Sequence, residues 1–189
     1  MTYYGGKDLA NAFRTVRGNT LKIAEEIPES QYEFKPAAEC RSIGKLLTHI
    51  AISSGIQHHI QSNKYDDLAK VNFPEVFGGI VAEEAKPRTK TEIVDLLKTE
   101  GDKFAAFLES LPESFLAETV KMPAGAPGAA TKSRFEMLLG AKEHEMHHRG
   151  QLMTIQRMIG QVPHLTRQMQ ERMAQMQAQA AAGAGQAAR

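Results

Sequence analysis

SRFEMLLGAKEHEMHHRGQLMTIQRMIG, residues 133–160, is the longest stretch of the chain with one unbroken helical period. Steps of three and four from His148 meet Leu152, Ile155 and Ile159 downstream and His144, Ala141 and Leu138 upstream, which is the spacing of one helix face. That face is expected to turn toward a core. The same steps from His147 meet Glu143, Gly140, Gln151 and Thr154, a mostly polar row, so His147 is expected at the rim or outside. Ser133 at the start, and Gly160 with Pro163 at the end, are helix start and stop signals. Gly150 inside the helix costs about 1 kcal/mol against alanine, and the expectation is that it permits close packing or ligand access.

Upstream of this helix the chain shows three more helical periods. The first covers about Gly6 to Glu26, with Leu9, Phe13, Val16, Thr20, Ile23 and Ile27 on one stripe, and stops before Pro28. After an irregular stretch from Pro28 to Cys40, Ser42 is a candidate N-cap for a second helix reaching about Ser62. Residues 63–88, with Pro74, Gly78, Gly79 and Pro87, read as a long connection with room for a short helix near Asp66–Ala69. Thr89 or Thr91 starts a third helix running to about Leu111, and Pro112 marks its end. The segment MPAGAPGAA, residues 122–130, reads as a loop or a lid. No strand pattern of useful length is visible, so the expected fold class is all-α, a four-helix bundle that is not simply up and down. Residues 1–165 are expected to form the bundle domain. Residues 166–189 read as a Met-, Gln- and Ala-rich tail, helical at first and then disordered.

Composition excludes several classes of function. In 189 residues, 23 basic side chains balance 22 acidic ones, so no one-sided field exists to hold a phosphate backbone or an anionic membrane. Nucleic acid and membrane are therefore not expected partners. The N-terminal residues lack a basic segment followed by an apolar run, and nowhere do 18 apolar residues stand together. A single cysteine, Cys40, leaves no internal disulfide to form and fits a reducing compartment. The expected location is cytoplasmic. Cys40 has no basic neighbourhood beyond Arg41 to mark it as a nucleophile.

Three of the seven histidines fall in HEMHH, residues 144–148. His144 and His148 lie about 40° apart around the axis and about 6 Å along it, so their imidazoles can converge on one ion. A third donor must come from another helix. His49 shares a face with Leu46, Ile52, Ile56 and Ile60 and is aimed inward. His58 lies about 180° around the same helix, and His59 is about 15 Å further along it. Facial position alone thus selects His49, His144 and His148 as candidate metal ligands, three nitrogens with one position left open, the layout of a catalytic rather than a structural site. Glu143 and Glu145 are expected to face away from the ion or lie at its margin, which leaves no side chain assignable as a general base. Arg149 and Gln151 read as solvated or as substrate contacts. A metal held by imidazoles should be released as pH falls through about 6.5.

The segments IPESQYEFKPAAECRSIGKLLTHIAISS, residues 27–54, and EHEMHHRGQLMTIQRMIGQVP, residues 143–163, resemble the DinB-like superfamily of bacterial four-helix proteins. That superfamily includes YfiT-type metal-dependent hydrolases and thiol-dependent S-transferases. The resemblance covers about residues 5–163. It implies a DinB/YfiT-type bundle with a long connection between the second and third helices, and a divalent ion, nickel or zinc, on the positions of His49, His144 and His148. It also implies a small-molecule substrate, a low-molecular-weight thiol of the bacillithiol kind as co-substrate, and a homodimer. The absence of tryptophan and the added tail are departures from many relatives. Two functions follow as expectations, a metal-dependent transferase or hydrolase, and a metal-binding or stress-related protein without turnover.

Overall fold

Three of the long helices begin on a hydroxyl that accepts a first-turn amide. Ser42 Oγ accepts from Lys45 N, Thr89 Oγ1 from Glu92 N and Ser133 Oγ from Glu136 N, so each start is set locally by its own sequence. The computed structural model describes residues 4–187, with side chains through 181. Its bundle consists of α1 (Gly6–Glu26), α2 (Ile43–Ser62), α4 (Lys90–Ser110) and α6 (Arg134–Met158), with α3 (Phe73–Ala85) before α4 and α5 (Glu113–Ala117) after it. The fold class is all-α. α1 and α2 each pack against both α4 and α6, so α1 and α2, consecutive in sequence, stand diagonally. That arrangement requires a crossing connection. No helix among the described residues is long and apolar enough to cross a membrane.

Two apolar clusters fill the bundle. One gathers Ile23 and Ile27 of α1, Leu47 and Ile50 of α2, Leu97 of α4, and Leu152 and Ile155 of α6. The other joins Phe13 and Phe104, edge to face at 5.0 Å, to Leu108 and Leu138. Between them lies a charge pair. Arg17 of α1 and Glu145 of α6 are 4% and 2% exposed, and Arg17 Nε and Nη2 donate to the carboxylate at 3.0–3.1 Å. The remaining guanidinium donors reach the carbonyls of Leu97 and Ile50. A Cβ on Gly101 would come within 2.8 Å of Arg17 Cγ, so α4 needs glycine there to let the arginine pass. Gly150, by contrast, has open space where a Cβ would stand, and close packing does not account for it.

The structure departs from the sequence reading in two places, the 63–88 connection and the strands beside residues 122–130. The 63–88 connection contains the 13-residue helix α3, hidden by Pro74 and the Gly78–Gly79 pair. Pro74 falls in the first turn, where a missing N–H costs nothing, and Asn72 caps the helix. Residues 122–130 are the turn of a hairpin between β1 (Thr119–Lys121) and β2 (Thr131–Ser133), strands too short to show alternation. A third cluster, Ile60, Leu68, Val71, Val120 and Met137, seats that hairpin on the bundle. Glu145, expected to face away from the ion or lie at its margin, is turned to Arg17 and is among the most buried residues of α6, because its partner arrives from a helix more than a hundred residues away. The tail forms α7 (His164–Ala187). Its first turn is anchored, with Arg167 on Glu26 and His164 on Asn19, and beyond it the side chains through 181 are exposed. The disordered end expected of the tail falls mainly on 182–189, whose side chains lie outside the described residues.

Candidate metal centre

α2 and α6 are neighbours in the bundle, and their contact carries the three histidines. His144 and His148 stand one turn apart on α6, and His49 faces them from α2. His144 Nε2 is 3.2 Å from His49 Nε2 and 3.1 Å from His148 Nε2, and donor atoms of the three form one group compatible with a metal ion. Nitrogens bound tetrahedrally at about 2.0–2.1 Å stand about 3.3 Å from one another. The observed spacing is close to that.

The outer ring nitrogens are held in a way that suits an ion. His49 Nδ1 lies 2.5 Å from Glu84 Oε1 and His148 Nδ1 lies 2.7 Å from Gln151 Oε1. Both partners are acceptors, so each Nδ1 carries the proton and donates it, which leaves the Nε2 lone pairs turned inward. The Gln151 amide in turn donates to His147 Nε2 at 3.1 Å. His147 itself is exposed; it touches the His148 ring edge to face at 4.9 Å and is hydrogen-bonded to the centre through Gln151. The other histidines stand elsewhere: His58 against Phe107, His59 against Tyr65, and His164 buried at the start of α7.

Glu84 is the site residue that sequence reasoning missed. It comes from α3, inside what reads as a connection, and no local spacing ties it to the histidines. Its second oxygen accepts from Arg41 Nε at 3.1 Å. Burial pushes the Glu84 carboxyl upward, but the hydrogen bonds and charges of His49 and Arg41 outweigh that, and its pKa lies below the ordinary value.

Two recesses flank the cluster. On the His148 side a cavity of about 420 Å³ runs between the segment before α2 and α6, lined by Pro36, Cys40, Arg41, Leu46, His148 and Ile155. On the His144 side a smaller one of about 240 Å³ is bounded by Ser53, Gln57, Gly140 and His144. A small molecule in the larger recess has an apolar wall, a guanidinium and one of the three imidazoles within reach.

Burial, followed by the nearby His148, His49 and His147, pushes His144 down to about 4 in the metal-free protein. His148, His58 and His164 are also lowered, burial being the largest cause in each. Unfolding returns all four toward about 6.5. Below that pH the unfolded chain therefore binds more protons than the folded one, so stability is complete above about pH 6.5 and is lost as pH falls toward 4. The metal-free protein, melted in the presence of a chelator, should show a Tm that is level above about pH 6.5 and drops between there and about pH 5. A Tm that is flat or rises over that range would contradict the assignment.

A helical bundle that brings three histidines from two adjacent helices to one point, in a geometry suited to a divalent ion, defines the class of protein. The chain belongs to the DinB superfamily, whose family model matches residues 12–152. It is 29% identical over 152 residues to the uncharacterized protein YjoA of Bacillus subtilis (strain 168), covering 80% of this chain and 89% of YjoA. The crystal structure of that DinB-like protein matches with a TM-score of 0.59 at 25% identity, over 82% of this chain and 93% of the other. YfiT of Bacillus subtilis, described as a probable metal-dependent hydrolase with an unusual four-helix bundle topology, matches with a TM-score of 0.63 at 12% identity, over 85% and 91%. A DinB-like protein from Bacillus cereus matches with a TM-score of 0.64 at 15% identity, over 86% and 97%. These last two likenesses concern the fold.

Proposed function

We propose that this chain is a metal-dependent enzyme that holds one divalent ion, nickel or zinc, on His49, His144 and His148, and transfers a small thiol of the bacillithiol kind to an electrophile. The observation that carries the proposal is the convergence of three Nε2 atoms, two with their tautomers set from behind, at the end of a recess of about 420 Å³. A divalent ion supplies Lewis-acid polarisation there and lowers the pKa of a thiol or water that it binds. The protein's own residues orient and enclose. Leu46, Pro36 and Ile155 exclude water from one side of the recess, and Arg41 favours an anionic group on the substrate.

Hydrolysis is the variant reaction, and YfiT's description lends it support. Thiol chemistry is favoured by the smaller shift in pKa that it needs, although Glu39 in the wall of the larger recess offers a carboxylate beside those nearest the centre. Glu84 is engaged by His49 and Arg41, and Glu145 by Arg17, so neither is free to take a proton from water. A thiol, with an ordinary pKa of about 8.5, needs a smaller shift than water at about 15.7.

Gently purified protein should carry about one divalent ion per chain by elemental analysis, and metal-loaded protein should conjugate a low-molecular-weight thiol to a model electrophile in a screen where chelated protein does not. No bound metal and no uptake of nickel or zinc on titration would sink the metal centre. Metal uptake that raises Tm, with neither thiol transfer nor hydrolysis, would instead point to a binding protein in which the ion ties α2 to α6.

We propose further that the protein is a homodimer in which α7 takes part. Met169, Met173 and Met176 are 58%, 48% and 61% exposed along one side of α7, and a helix with so narrow a stripe is marginal alone. Truncation after Pro163 should lower the mass seen by sedimentation from dimer to monomer while leaving metal uptake intact. An unchanged mass would remove the tail from assembly.

A further inference from the structure

The sequence of α3, FPEVFGGIVAEEA, is apolar, yet the helix has no buried residue. Phe77 and Val81 are 48% and 66% exposed; Phe73 and Val76 at its start rest against a buried cluster, but a cavity of about 650 Å³ opens between α3 and α2, with Ile52, Ile56, Val76 and Ile80 in its walls. Gly78 and Gly79 stand side by side in the middle and weaken the helix. Thirteen residues with so little packing are marginal as a helix on their own. At its C-terminal end Arg88 and Lys86 of the following connection hold Glu83, but among the described residues the side-chain hydrogen bonds that tie α3 to α2 and to the segment before it end on Glu84, from His49 Nδ1 at 2.5 Å and from Arg41 Nε at 3.1 Å.

We infer that Glu84 is a positioning residue for His49 and that, through this one bond, an ion on the histidine centre fastens α3 over the cavity. The inference rests on the metal-centre reading above and extends it to a helix that bears none of the three histidines. The carboxylate selects the Nδ1–H tautomer of His49, which leaves Nε2 free to bind. A cation on Nε2 in turn makes Nδ1–H a stronger donor, and the hydrogen bond becomes charge-assisted at both ends. Such coupling is reciprocal: whatever docked α3 adds to metal affinity, bound metal adds to the docking of α3. The cavity beneath α3 leaves room for the helix to settle inward. Arg41 lines the recess beside His148 and also holds Glu84, so the same device links α3 to the wall of the substrate recess.

The test uses the full chain, zinc as the probe, and Glu84→Ala and Glu84→Gln beside wild type and a Glu83→Gln control on the same helix. Three quantities are read: zinc Kd by competition with a chelating dye, amide hydrogen exchange over residues 73–85 with and without zinc, and the tautomer of His49 by nitrogen NMR of the metal-free protein. In wild type, zinc should slow exchange across 73–85, and His49 should be protonated at Nδ1. Glu84→Ala should weaken zinc about 10–100-fold, abolish the zinc-dependent protection of α3 and mix the His49 tautomers. Glu84→Gln, which keeps a neutral acceptor, should fall between, and Glu83→Gln, which loosens the Arg88 contact but does not touch His49, should keep the wild-type zinc Kd and His49 tautomer. The Tm of each metal-free variant should stay near wild type, which a merely structural role for Glu84 would not allow. Wild-type affinity and α3 protection in Glu84→Ala would overturn the inference alone, whereas wild type that takes up no zinc would overturn the metal centre and the inference with it.

Discussion

Replacement of His49, His144 or His148 by alanine is expected to lower zinc or nickel affinity by more than about 100-fold, beyond the range usual for a group that merely supports a metal ligand. Each change removes one of three converging nitrogens and leaves two, which seldom hold an ion tightly. His147→Ala is the demanding control, because it adjoins and touches His148 yet is exposed and offers the centre no nitrogen, its hydrogen bond going to Gln151. It should weaken binding by no more than a few-fold, and His58→Ala, His59→Ala and His164→Ala should leave affinity unchanged. Isothermal titration of the seven proteins decides the matter. If His147→Ala abolished binding while His148→Ala spared it, the facial assignment along α6 would be wrong.

The largest effect on stability is expected from the buried pair. Arg17→Ala or Glu145→Ala leaves an uncompensated charge in a site where both side chains are almost fully enclosed, and such a loss costs about 3–5 kcal/mol. For a chain of this length that corresponds to a fall in Tm of roughly 6–20 °C. The double variant Arg17→Met/Glu145→Leu restores an apolar interior and should recover most of the loss, since well-packed hydrophobes often replace buried ion pairs at no cost. Thermal and urea unfolding of the three variants measure this. Single variants within about 1 kcal/mol of wild type would show that water reaches the pair and that the interior is not continuous there.

The centre and the charge pair differ in how far they can be read without coordinates. Along residues 133–160 the faces of α6 are set by its period, and the four-residue spacing of His144 and His148 is a property of any α-helix. The choice of His49 over His58 and His59 follows from the same geometry on α2. The burial of Glu145 is not legible in the same way. The buried line of α6 passes through Leu138, Glu145, Leu152 and Gln156, and a glutamate in that line looks like solvent-facing polarity until its arginine is seen. Glu84 was not readable at all, because its helix lies in a segment whose prolines and glycines suggest a connection, and nothing in its own neighbours says where that helix docks.

The amino-acid sequence by itself determined the four bundle helices, their starts at Ser42, at Thr89 or Thr91 and near Ser133, and the faces on which the histidines lie, because each of these depends on interactions within a few residues. Only the tertiary structure decided which helices are neighbours. It set α2 beside α6, so that Nε2 atoms 95 residues apart in sequence come within 3.2 Å, and it seated α3 so that Glu84 meets His49. It also paired Arg17 with Glu145 across 128 residues. Contacts of that kind are fixed by how apolar faces fit together and by where a buried charge finds its partner, and neither leaves a local pattern in the chain.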